Sequence, residues 1–239
     1  MVAPITDLAT FIRQRRAHAD AAAGAEGSLV EFGALRMHFE TTDHWPSLSG
    51  CREWRGCVRV SALDADRGAA DVDVAVVQFL ILRAGHESLA EVLPRFGSRA
   101  ATFVELFDDQ WLDPELDESE DFTAGMPIST VLIVLDAAAD SSLPPNSRLR
   151  AWAVAETVHT MLPTTTGLVL MPALPAATAP RHKLIPTDQI DPDWTRIGCT
   201  SVPGHPRFYG QATAYVYLDE ARDALADVRD EPIRIYLPI

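Results

Sequence analysis

The chain has 239 residues, 47% of them apolar, and a formal net charge of −14. That length buries a full core, and no stretch approaches the ~18 uninterrupted apolar residues of a membrane helix. The acid excess argues against a nucleic-acid partner, because phosphates call for a basic face.

Residues 1–20 lack the apolar centre of a signal peptide. They pattern instead as a short amphipathic helix, with Ile5, Leu8, Phe11 and Ile12 on one side, so a cytoplasmic address is expected. Residues 21–27 form a small-residue linker. The alternation over 29–41 predicts a hairpin or a strand bent at Gly33. A loop over 44–50, a strand over 54–63, a turn over 64–71 and a strand over 74–82 follow, the two strands forming an antiparallel pair. Over 87–106 the period becomes helical, through Leu89, Val92, Leu93, Phe96, Ala100 and Phe103, with an interruption near Pro94 and Gly97. Between Glu105 and Asp121 stand nine acidic residues and no basic one. This run is either a solvated surface or a lure for a cationic substrate. The three cysteines, Cys51, Cys57 and Cys199, match no zinc spacing and are expected to be buried free thiols.

Residues 129–172 carry the densest information. An apolar run (TVLIVLDAAAD), a polar turn (SSLPPNSR), a helical pattern (LRAWAVAETVHTML) and a second apolar run (GLVLMP) make a βαβ unit. The turn contains no glycine, so it is neither a P-loop nor a dinucleotide fingerprint. A Pro/Ala-rich loop or lid over 173–186 comes next. A short helix over 187–197 starts near Pro192, and a loop, a strand over 209–218 and a closing helix over 219–228 complete the chain. The sum is an α/β (α+β) mixed sheet flanked by helices.

These elements resemble the GNAT superfamily of N-acetyltransferases. The strand 131–136, the prolines 144 and 145, and the loop Arg148-Leu149-Arg150-Ala151-Trp152-Ala153 are similar to that family's strand, turn and Arg/Gln-x-x-Gly-x-Gly/Ala arm. Ala151 replaces the first glycine. Residues 194–199, Trp-Thr-Arg-Ile-Gly-Cys, resemble its aromatic-x-x-Leu-Gly-Phe signature, with Trp194 where many active members have a tyrosine. The likeness covers roughly residues 50–225 of one acyltransferase-like domain, with 1–50 as an N-terminal extension. It implies a mainly antiparallel sheet whose central strands, 131–136 and 167–172, run parallel and splay apart.

The resemblance also implies acetyl-CoA or coenzyme A as ligand and a small amine as acyl acceptor. Val134, Leu135 and Asp136 would pair with the pantetheine amides, and Arg148, Leu149, Arg150, Ala151, Trp152 and Ala153 would hold the diphosphate. Helix N-termini suit anions, and two arginines would add charge-assisted bonds. Solvent-facing arginines are the other reading. Trp152 packs inward or extends over the coenzyme channel. The acid for the leaving thiolate falls to Tyr209, which is otherwise an ordinary strand-end aromatic. Candidate bases are Asp136, Glu105, His159, His182 and His205. No metal site is expected, no membrane contact, and a homodimer stays open. The competing reading is a non-catalytic binding protein that has lost the arm glycine and the tyrosine.

Overall fold

Long alternating and apolar runs pair across register to build the sheet. The computed structural model describes residues 6–21, 28–42, 48–62, 70–144, 148–174 and 191–237. In chain order these form β1 (Thr6–Asp7), α1 (Leu8–Ala21), β2 (Ser28–Glu31), β3 (Arg36–Thr41), β4 (Cys51–Ala62) and β5 (Ala70–Arg83). Then come α2 (Leu89–Val92), α3 (Ser98–Ala101), β6 (Phe107–Asp108), β7 (Trp111–Leu112), α4 (Pro114–Asp117) and α5 (Glu120–Thr123). The rest are β8 (Thr130–Ala139), α6 (Leu149–Met161), β9 (Gly167–Pro172), α7 (Pro192–Arg196), β10 (Thr200–Val202), β11 (His205–Ala212), α8 (Tyr217–Ala224) and β12 (Arg234–Leu237).

The main sheet runs β10-β11-β9-β8-β5-β4-β3, with β1 added alongside β5. Along that path every neighbouring pair is antiparallel except β8 and β9, the parallel pair expected from the βαβ order. The strand run Val131–Leu135 is buried throughout, because helices cover both faces of the sheet there. A continuous apolar strand needs that double cover. On one face α1, α6 and α7 share a core with Val58, Val77, Phe79, Leu132, Val134, Val169 and Met171. On the other face, segment 89–122 covers Leu80, Leu82, Ile133, Leu135, Leu168, Leu170 and Phe208.

Small side chains bring α6 close to its sheet: Ala151 and Ala153 are fully buried, with Trp152 and Val154 beside them. The segment after β5 is helical, but in pieces. Pro94 opens a 3-10 turn over 93–96, and Gly97 sits at φ 101°, so the period of three and four survives without one continuous helix.

Two expectations differ in detail. β2 and β3 are not a hairpin: β2 pairs with β12 in a separate two-stranded sheet, and β3 pairs with β4. The last large strand lies at 205–212 rather than 209–218. It starts early through the turn at Gly204 that joins it to β10, and it stops where Ala212 meets Leu168 because β9 begins only one residue earlier. Beyond it Thr213 closes the sheet with bonds to the N–H and C=O of Gly167, and α8 begins at Tyr217. The linker 21–27, the turn 64–71, the loop 44–50 and the loop 173–186 fall largely outside the described residues, as does His182.

Candidate functional site

The parallel ladder of β8 and β9 covers only Thr130↔Gly167 to Ile133↔Leu170. Past that point β9 stays bonded to β11 through Pro172↔Phe208, and β8 stays bonded to β5 through Ala139↔Ala75. Among the described residues, the edge that β8 turned toward β9 has no strand partner from Val134 on. At the same level the β5–β8 register slips: Phe79 faces Val134 and Gln78 faces Asp136, leaving Leu135 as the extra residue of a bulge. A bulge bends a strand and puts neighbouring side chains on one face. Leu135 and Asp136 accordingly both turn to the face of segment 89–122, where Asp136 meets Arg99 of α3 at 3.0 Å.

Glu105, from the 3-10 turn that follows α3, reaches the other side of the parting. It binds Arg207 of β11, and its second oxygen lies 3.7 Å from His205 Nδ1. The fully buried Phe103 lies between these ion pairs in sequence and packs on Phe208, ring centres 4.8 Å apart. One short segment therefore touches both β8 and β11 where the β8–β9 ladder has ended. The fold brings Asp136, Glu105 and His205 to this end. His159 it does not: that residue is exposed near the far end of α6, 3.9 Å from Asp219.

Tyr209 lies on the opposite face, opposite Met171 of β9, and is 7% exposed within the core that contains α6. Burial pushes its phenol up from the ordinary tyrosine value, and among the described residues its hydroxyl has no hydrogen-bond partner. Tyr209 and Asp136 are thus separated by the sheet.

At the start of α6 the two arm arginines already have partners. Arg148 Nη2 lies 2.6 Å from Asp227, with Glu231 at 3.9 Å. Arg150 places Nη2 2.5 Å from Asp191 and Nε 2.7 Å from Asp193. Asp191 and Asp193 are each 5% exposed, and Asp191 also caps α7 by accepting the Asp193 N–H. Arg150 stacks on Trp194 at 5.4 Å. Trp194 is buried and donates its indole N–H to the Pro172 carbonyl at 2.8 Å, which ties α7 to the end of β9. Its role here is anchorage. Ala151 is fully buried, so its methyl group faces protein, and Trp152 takes the inward position. By helix geometry the N–H groups of Arg150 and Ala151 have no acceptor inside α6. A cavity of about 360 Å³ opens beside Arg148, Leu149 and Pro144.

All three cysteines are buried and free. Burial raises the Cys51 thiol to about 12 and lifts Cys57 and Cys199 as well. Protonated thiols are poor nucleophiles. Among the described residues no group of three His, Cys, Asp or Glu side chains is placed to hold a metal ion.

The carboxylate partners of Arg148 and Arg150 were not visible in the sequence. Asp191-Pro192-Asp193 reads locally as a helix cap followed by a first-turn proline. Nothing local says that it faces Arg150 forty residues away. No family model, no curated protein and no solved structure matches the chain.

Proposed function

We propose that this chain binds an acyl-coenzyme A where β8 and β9 part and transfers the acyl group to a small amine. One observation carries the reading: the bulge at Leu135 falls just where the parallel ladder ends at Ile133↔Leu170. An unpaired strand edge in a sheet interior is a template for an extended ligand with its own amide groups. The pantetheine arm of coenzyme A is such a ligand. Val134, Leu135 and Asp136 supply the edge, and the first turn of α6 offers the Arg150 N–H to the diphosphate, Ala151 being fully buried.

In the transfer the amine nitrogen attacks the thioester carbonyl, the C–S bond breaks, and one proton leaves the nitrogen while another reaches the thiolate. Tyr209 is the donor to sulfur: a phenol is protonated at neutral pH without help, and burial shifts it further in that direction. Asp136, on the other face, receives the amine proton, directly or through water. The chain's negative charge favours a cationic or neutral small amine as acceptor.

The ion pairs of Arg148 and Arg150 favour a second reading, a protein of this architecture that binds a ligand without turnover. A thiol-release assay with acetyl-CoA and a panel of amines separates them. Turnover that Tyr209→Phe abolishes supports transfer. Saturable acetyl-CoA binding by calorimetry with no thiol release supports the binding protein, and absence of binding at millimolar acetyl-CoA removes the transfer reading.

A further inference from the structure

At the other end of α6 a cavity of about 510 Å³ lies between the helix terminus at Met161–Thr164 and the sheet. Its polar wall comes from Arg52, Arg83 and Thr130, and its apolar wall from Trp54, Met161 and Leu162. Register puts the polar groups together. Arg83 is opposite Thr130, and Arg52 is opposite Ile81, two residues from Arg83 on the same face. Diagonal neighbours of this kind stand roughly 7–8 Å apart at Cα, within joint reach of long side chains.

The two arginines differ from their neighbours in having no counter-ion. On the same strand, Arg55 and Arg59 face Glu40 and Asp73, and Arg36 of β3 faces Asp71. Arg52 and Arg83 have no carboxylate within 4.0 Å and no side-chain hydrogen bond among the described residues, and neither does the Thr130 hydroxyl. The nearby carboxylate, Glu87, is spent on the Ser49 N–H, the Ser49 hydroxyl and the Gly50 N–H. A helix C-terminus attracts cations, but neither guanidinium donates to the last carbonyls of α6. In a chain with fourteen excess negative charges, two uncommitted guanidiniums and a hydroxyl converge on one cavity.

We infer that this cavity binds a small phosphomonoester, its dianionic head on Arg52, Arg83 and Thr130 and an apolar or aromatic body against Trp54, Met161 and Leu162. Guanidiniums grip phosphate oxygens in pairs, and the volume suits a small molecule. This site is separate from the β8–β9 parting: Thr130 lies four residues, roughly 13 Å of strand, before Val134.

Calorimetry on the full chain with phenyl phosphate, inorganic phosphate and phenol tests the inference. Phenyl phosphate binds saturably, more tightly than inorganic phosphate, and weakens with added salt, whereas phenol does not bind. Arg52→Ala and Arg83→Ala each weaken phenyl phosphate about tenfold or more, with melting curves confirming that both variants fold. Arg95→Ala, which removes an exposed arginine elsewhere, leaves binding unchanged. No saturable binding at millimolar phenyl phosphate, equal affinity for inorganic phosphate, undiminished binding in Arg52→Ala and Arg83→Ala, or an equal loss in Arg95→Ala overturns it.

Discussion

The two ends of α6 treat positive charge in opposite ways. At its start Arg148 and Arg150 are each held by two carboxylates, and the partners of Arg150 are buried. At its end Arg52 and Arg83 line a cavity and have no counter-ion among the described residues. A motif at a helix start locates a cation in sequence, but only long-range packing decides whether that cation is free. Here the arginines that the sequence singles out join elements of the fold, while those that it passes over are available.

The largest expected effect lies at the start of α6 and sharpens its structural character. Trp152→Ala removes a buried indole and costs about 3–5 kcal/mol, read as a lowered denaturant midpoint. An unchanged midpoint would place Trp152 outside the core. Arg150→Ala leaves the buried Asp191 without a guanidinium and takes one of two from the buried Asp193, which keeps Arg196 at 2.8 Å, and costs about 3 kcal/mol, or roughly 6–12 °C in melting temperature for a chain of this size. Adding Asp191→Asn and Asp193→Asn to Arg150→Ala should recover part of the loss. If Arg150→Ala melts like wild type, the arginine is not a structural clamp and the contrast between the two ends fails.

Arg148→Ala should cost less than Arg150→Ala, and its effect should fade with added salt, because its pair is open to solvent. The smallest effect is at the far end and depends on pH. Burial alone would raise Glu87, but bonds from the Ser49 N–H and hydroxyl and from the Gly50 N–H outweigh it and lower the carboxyl below 4.5. A lowered carboxyl contributes stability above its unfolded value and loses it as pH falls through the folded one. The stability difference between wild type and Glu87→Gln should therefore be constant near neutrality and shrink below about pH 4.5. A difference that persists at lower pH would contradict the assigned bonds.

Much of the sheet was legible because its strands announce themselves by composition. The run 131–135 is apolar on both faces, and α6 follows with a helical period, so the βαβ order could be read directly. The interruption at Pro94 and Gly97 was legible for the same local reason. The end of β11 was not, since it is set by where β9 begins across the sheet. β12 escaped because its partner among the described residues, β2, is two hundred residues away. The bulge at Leu135 has no sequence mark of its own: it is one residue of surplus between strands whose register is fixed elsewhere. Within the site, Asp136, Glu105 and His205 were named from their chemistry and do gather at one end of the β8–β9 pair. Their arginine partners, Arg99 and Arg207, depend on contacts between distant segments.

Hydrogen exchange of the full chain with and without acetyl-CoA tests the central claim most directly, because the proposed contacts are backbone groups. The account predicts slowed exchange at residues 134–137 and in the first turn of α6, little change at 131–133, and the same pattern in a chain carrying Arg52→Ala and Arg83→Ala. Unchanged exchange at 134–137 with acetyl-CoA bound, or protection confined to the surroundings of Arg52 and Arg83, would contradict it.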